Sequence, residues 1–364
     1  MRIGIMTMHR VQNMGSVLQA YALQYKIKQL GYESELIDYV FPPIKTAHFG
    51  AKDLMSWSWD ALRGFPAQRK KNKINSFRKQ YLHCSEKTYS REKILAEPPQ
   101  YDLYCTGSDQ VWNPIHIGTD TSFMIDFAPD DAPRIAYASS FATKEVTEPY
   151  YSLYASHLSK YKSITVREQS GVDIVRQMTG KEATVVCDPT MLLSADEWQH
   201  IVDASDVKMP QGYILVYMLR YMFDPRPGFY KIVESVRNAL QLPVYQINAY
   251  PADSFVPKVK ALKGLGPTDF VSAVKNASFL ITDSFHGAAF ATIFNIPMIG
   301  VVKDDLNGDG RIATLRAKVG SYRSVVSHNN PLKICPDVSM YRSDSKMVSN
   351  LRLSSIEELR KMIE

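Results

Sequence analysis

The chain has 364 residues, 45% of them hydrophobic and 22% charged, with a formal net charge of +6. That length exceeds what one core normally holds, so two domains are expected, each with ample apolar material. No run reaches the roughly 18 apolar residues that a transmembrane helix needs, and no low-complexity tract is present.

The first residues, Met1 to Met8, run straight into polar residues with no long apolar stretch and no small-residue cleavage site. They read as a buried β-strand rather than a signal peptide, which predicts a cytoplasmic protein. A polar loop from His9 to Ser16 follows. Val17, Leu18, Tyr21, Ala22 and Tyr25 then recur at helical spacing up to Leu30, and Gly31 stops the helix. Ser34 to Tyr39 is the second strand. This order implies a parallel sheet with a right-handed crossover.

Residues 42 to 98, with Pro42, Pro43, Trp57 and Trp59, read as an excursion from the sheet. Within it, Arg69, Lys70, Lys71, Lys73, Arg78 and Lys79 make residues 63 to 93 strongly basic. Such a stretch is either a solvated helical face or a patch for an anionic membrane surface or phosphorylated lipid carrier. No nucleic-acid-binding motif accompanies it, so nucleic acid is not an expected partner.

Leu103–Thr106, Arg134–Ala138 and Ser163–Val166 are further strands, ending in Gly107–Gln110, Ser139–Ser140 and Arg167–Ser170. Loops at the carboxyl ends of parallel strands form the ligand crevice of open α/β sheets. A strand from Ala183 to Cys187 closes in Asp188-Pro189-Thr190, after which the pattern restarts. The expected domains are therefore 1–190, carrying the insertion 42–98, and 191–364. Tyr213–Leu219, Val244–Ile247, Phe279–Thr282 and Pro297–Val301 are strands of the second domain, and the final helix is expected to pack back on the first. The fold class is α/β, with two Rossmann-like domains facing across a cleft.

Four well-separated cysteines form no C-x-x-C or zinc spacing, and Cys105 and Cys187 lie in apolar runs. Neither a P-loop nor G-x-G-x-x-G is present, and no H-E-x-x-H occurs. No metal and no bound cofactor are expected. Asp305–Gly310 mimics the start of a calcium loop, but Arg316 stands where a bidentate glutamate is needed.

His286 follows a strand at a helix start, beside Asp283, Ser284 and Gly287. That position offers free N–H groups and partial positive charge to an anion, and an imidazole there suits proton transfer. It also suits a simple cap or a buried histidine. Arg167, directly after a strand, suits bidentate binding of carboxylate or phosphate, or an ion pair with Glu168. In Gly107–Asn113, Asp109 is placed to orient a hydroxyl or a catalytic group. Trp112 there is either a flat face for a sugar or a core residue.

Together these stretches resemble the polysaccharide pyruvyl transferase family. The resemblance is carried by Asn13–Leu23, Gly107–Asn113, Ile135–Phe141, Val166–Glu168, Asp188–Thr190 and Asp283–Gly287, in order along most of the chain. It implies a GT-B-like fold and transfer of pyruvate from phosphoenolpyruvate to a sugar of a polysaccharide or its lipid-linked precursor, as a cyclic ketal with release of phosphate. By resemblance Arg167 matches the donor-binding arginine and His286 the catalytic histidine, as acid or base. The cell-wall branch of the family has arginine where this chain has Ser284. Donor-binding charge is then expected from Arg311 and Arg10, alongside Ser284 and Gly287, and acceptor contacts from Trp112, Asn13, Ser139 and Ser140. A nucleotide-sugar glycosyltransferase of the same architecture and a non-catalytic sugar-binding scaffold in polysaccharide assembly are the alternatives. The expected site of action is the cytoplasm, including the inner face of the membrane.

Overall fold

The computed structural model describes residues 1–41, 65–220, 223–247, 259–303, 310–329 and 337–364. Pro42, Pro43, Trp57, Trp59, Arg63, the calcium-like loop 305–309 and Cys335 lie outside them. The chain divides into two compact units. The first comprises Met1–Phe65, Ile74–Leu192 and Arg352–Glu364, and the second Pro66–Lys73 and Leu193–Leu351.

The first unit is built on a seven-stranded sheet of order β3-β2-β1-β4-β5-β6-β7, with every pairing parallel. Its strands are β1 (Arg2–Met6), β2 (Glu33–Tyr39), β3 (Cys84–Tyr89), β4 (Leu103–Thr106), β5 (Arg134–Ser139), β6 (Ser163–Val166) and β7 (Thr184–Val185). Both faces are covered, so β4 and β5 are buried at every position. Helix α1 (Met14–Gln29) starts at Asn13, whose side chain accepts from the Gly15 N–H at 2.8 Å.

The stretch read as an excursion returns to the sheet. It contributes helix α2 (Pro66–Tyr81) and then β3, which pairs with β2 at the sheet edge. Three exposed polar residues in the middle of β3 hid it, because an edge strand needs no apolar alternation on its open side. In α2, Lys73 is spent on Asp269 at 2.8 Å and Arg78 lies 3.6 Å from Asp38.

The core of this unit gathers Trp112, Phe123, Phe141, Tyr154, Tyr161 and the inward residues of the strands. Trp112 is fully buried, its indole N–H donating to the Phe123 carbonyl at 3.3 Å and its ring packed on Phe141 and Tyr161. It is a core residue and not a sugar platform. Trp112→Ala would cost about 3–5 kcal/mol of stability, the usual range for a buried large aromatic. Thermal or urea unfolding should show the loss, with the donor affinity of the folded remainder unchanged.

The second unit carries a six-stranded sheet of order β10-β9-β8-β11-β12-β13, again wholly parallel. These are β8 (Ile214–Tyr217), β9 (Val244–Ile247), β10 (Val259–Leu262), β11 (Phe279–Thr282), β12 (Met298–Val302) and β13 (Val325–Ser327). Arg316 is fully buried here and donates to Thr292, Ser324, Ser343 and the Tyr341 carbonyl. Burial pulls its guanidinium down to about 10, and it ties three segments of this unit together. The last helix, Ser345–Ile363, has its second half in the first unit, where Ser355 Oγ accepts from Cys187 N at 3.0 Å and Arg352 donates to Met191 O at 2.9 Å. Among the described residues no helix is long and apolar enough to cross a membrane.

Candidate active site

In each sheet the strand order reverses direction at one point: between β1 and β4 in the first unit, and between β8 and β11 in the second. Crevices at such switch points, outside the carboxyl ends of the strands, are where open α/β sheets bind ligands. The His286 constellation lies at the second of these points and Asp109 and Ser16 at the first, while Arg167 approaches Asp109 from the end of β6.

In the first unit, buried hydroxyls stitch the strand-end loops together. Thr7 Oγ1 donates to Ser108 O at 2.8 Å, and Ser16 Oγ donates to Asp109 Oδ2. Arg167 leaves β6 with its side chain 1% exposed and donates from Nη1 to Asp188 Oδ2 at 2.9 Å, while its Nη2 lies 3.9 Å from Asp109 Oδ1. Asp188 also accepts from Ser108 Oγ at 3.1 Å and from the Thr190 N–H and hydroxyl at 3.0 and 2.8 Å. The ion pair is therefore with Asp188 and Asp109 rather than with Glu168. Asp109 holds φ at 82°, in left-handed territory, while Ala138 near the end of β5 and Ala142 in the loop that follows hold 53° and 52°. Such conformations are uncommon for non-glycine residues and cluster where a loop is shaped for a ligand.

Glu168 Oε1 accepts from Ser140 Oγ, Phe141 N and Ala142 N, at 2.8, 3.0 and 3.2 Å. It thereby clamps the loop after β5. Ser139 and Ser140 are both fully buried, Ser139 donating to Gly107 O at 3.0 Å. Their hydroxyls serve this loop lattice, which corrects the expectation that they meet a sugar. Arg10 is likewise corrected: its guanidinium grips Asp38 through two bonds, at 2.6 and 2.5 Å, and is committed there. Asn13 uses its carboxamide oxygen as the cap of α1.

His9, Asp38 and Cys84 place one ligand atom each within 4.8 Å of the others, a spacing a metal ion would accept. The chemistry of the group does not fit one. Burial alone would raise the Asp38 carboxyl, but hydrogen bonds from Arg10, His9 and Thr88 outweigh it and hold the group well below the usual range. Burial and the Asp38 charge push the Cys84 thiol up to about 11. A carboxylate already holding a guanidinium beside a protonated thiol is an ion-pair cluster.

In the second unit, β11 delivers Thr282, Asp283 and Ser284 to the switch point. Thr282 Oγ1 donates to Tyr217 O at 2.6 Å, and Asp283 accepts from Leu219 N and Arg220 N at 2.7 and 2.9 Å. Burial lifts the Asp283 carboxyl above its ordinary value, against those two N–H bonds. Asp283 thus anchors the loop after β8, and among the described residues its hydrogen bonds go to that backbone rather than to the imidazole.

His286 is the second residue of a helix over Phe285–Ile293 in which every residue is buried. Ser284 caps that helix, accepting from Gly287 N at 3.3 Å. A side chain at Gly287 would meet Thr282 Oγ1 at 2.7 Å, so only glycine lets the helix start this close to the strand. The result holds His286, 8% exposed, at the positive end of a helix on the carboxyl edge of the sheet. Arg311 opens the helix Arg311–Lys318 in the same unit. Sequence reasoning missed Asp188 and Glu168 as site residues. The sequence pattern marks Asp188 as a domain boundary, although its place directly after a strand is itself a signal for a site residue.

The family model for polysaccharide pyruvyl transferase matches residues 13–305. The chain belongs to the polysaccharide pyruvyl transferase family. The span shared with this pyruvyl transferase family contains Asp109, Arg167, Asp188 and His286 but excludes Arg10 and Arg311. Among curated protein sequences none matches the chain. Solved structures similar to it include UDP-GlcNAc 2-epimerase from Methanocaldococcus jannaschii, at 10% identity and a TM-score of 0.56, covering 98% of this chain and 92% of that one. The S. aureus MnaA–UDP co-structure is similar at 13% identity and 0.53, covering 99% and 97%. At these identities the likeness speaks for the fold alone: two Rossmann-like domains of GT-B type. A sheet and helix framework shared with sugar-nucleotide enzymes thus carries, in this pyruvyl transferase family member, its own strand-end residues.

Proposed function

We propose that the protein transfers pyruvate from phosphoenolpyruvate to two hydroxyls of a sugar in a polysaccharide or its precursor, forming a cyclic ketal. The observation that carries this reading is the pair of strand-end constellations in a pyruvyl transferase family member: a buried arginine oriented by Asp188, and a histidine at a helix N-terminus. Protonation of the donor's methylene carbon leaves a cationic centre at the carbon bearing phosphate. The sugar hydroxyls attack that centre, and their two protons and the phosphate leave with no net water gained or lost. Arg167 suits the donor's carboxylate or phosphate, since a guanidinium presents five donors in a fork and Asp188 fixes its plane. His286 suits the proton transfer, as acid to the methylene or base to the hydroxyl. Preorganised cations and helix dipoles at a shielded site lower the barrier mainly by electrostatics.

Incubation with phosphoenolpyruvate and a panel of galactose- and mannose-type acceptors tests the reading. The expected result is release of inorganic phosphate together with an acceptor heavier by pyruvic acid less one water. Turnover of a nucleotide sugar instead, with no product from phosphoenolpyruvate, would overturn it.

A further inference from the structure

Basic residues converge at a place that the proposed chemistry does not use. A cavity of about 410 Å³ opens between the second half of α2 and the start of β3, lined by Asn75, Arg78, Lys79, Leu82, His83 and Cys84. None of these residues belongs to the Arg167 or His286 constellations. Arg78 reaches toward Asp38 at 3.6 Å, but the same carboxylate already takes both arms of Arg10 and the Nε2 of His9 at 3.1 Å. Arg78 Nε is buried with no hydrogen-bond partner among the described residues.

The charge balance around this cavity is positive. Among the described residues around it, Arg10, Arg78 and Lys79 supply three cations against the single carboxylate of Asp38. The next acid, Glu35, is taken up by Arg2 at 2.7 Å and by the Tyr101 hydroxyl. The carboxyl end of α2 contributes about half a negative charge, which accounts for part of the excess and not for all of it. Burial and the neighbouring Arg10 pull the Arg78 guanidinium downward, outweighing the opposing pull of the shared Asp38 carboxylate. Clustered, partly desolvated cations with unspent donors are what a phosphoryl group requires.

We infer that this cavity is a second anion site, which takes a phosphate or diphosphate group through Arg78 and Lys79. The chemistry is shared by a free phosphate or diphosphate and by a diphosphate carried on a polyprenyl lipid. The inference rests on charge and cavity, so it stands whether or not the protein transfers pyruvate.

Calorimetric titration of the full-length protein with inorganic pyrophosphate tests it. Lys79 is exposed and pairs with no acid among the described residues, so Lys79→Gln folds normally and should weaken binding roughly three- to fivefold. Arg78→Gln removes a partly buried charge-assisted donor and should weaken it about ten- to hundredfold. Arg167→Lys should leave this site unchanged. Neutral vesicles doped with a polyprenyl diphosphate form the second arm. Retention on them that disappears in Lys79→Glu identifies the lipid-borne group, whereas pyrophosphate binding without retention identifies the free anion. Pyrophosphate binding that Arg167→Lys abolishes and neither Lys79→Gln nor Arg78→Gln alters would overturn the inference, as would no binding at all.

Discussion

His286→Gln should lower turnover with phosphoenolpyruvate by about 10²–10⁴-fold while leaving donor affinity nearly intact. Glutamine retains much of the size and a hydrogen-bond donor, but it cannot carry a proton at neutral pH. The helix beneath it should survive, because its cap is Ser284 to Gly287 and its packing rests on Phe285, Ala288, Ala289 and Phe290. Turnover under saturating donor and acceptor, the donor dissociation constant and the melting temperature separate the readings. A proton-transfer role lowers turnover alone. A merely structural histidine would lower the melting temperature and leave near-normal turnover in the protein that remains folded. That second outcome would remove His286 from the mechanism.

The framework of both sheets is legible from the sequence because buried parallel strands are short, apolar and end in polar loops. β1, β4, β5, β6, β8, β9 and β11 all fall where such runs occur. What escaped has a common physical cause. β3 is an edge strand whose outer residues face water, so nothing in its pattern distinguishes it from a loop. Arg10 looked available because its partner, Asp38, stands 28 residues on and is brought beside it only when β1 and β2 pair. Trp112 and the Ser139–Ser140 pair sit at strand ends, where a residue can face either the ligand or the core. Only packing decides, and here Phe123, Phe141 and Glu168 decide for the core. The positions of Arg167 and His286 are legible, since a strand-end arginine and a helix-start histidine are defined by the backbone. The partner of Arg167 is not, because Asp188 follows a different strand.

That partnership sets the second large effect. Arg167→Lys keeps the positive charge and should still weaken phosphoenolpyruvate binding by about ten- to hundredfold, the range for losing charge-assisted hydrogen bonds at a buried site. The reason lies in the geometry around the guanidinium. Asp188 Oδ2 takes Nη1 at 2.9 Å, and Asp109 stands 3.9 Å from Nη2, so two carboxylates compete for one cation. A planar fork can satisfy Asp188 with one N–H and direct others elsewhere in the same plane. The compact ammonium of lysine, on a shorter reach, has no such plane. The two carboxylates would draw it in and leave the donor's anionic group without its partner. Stability should fall less than affinity, because the ion pair with Asp188 persists in altered form. Titration of phosphoenolpyruvate into wild type and variant, with melting temperatures recorded alongside, measures both. If the lysine variant binds phosphoenolpyruvate as tightly as the wild type, Arg167 is not the donor's anchor and serves only to hold Asp188 and the loop it closes.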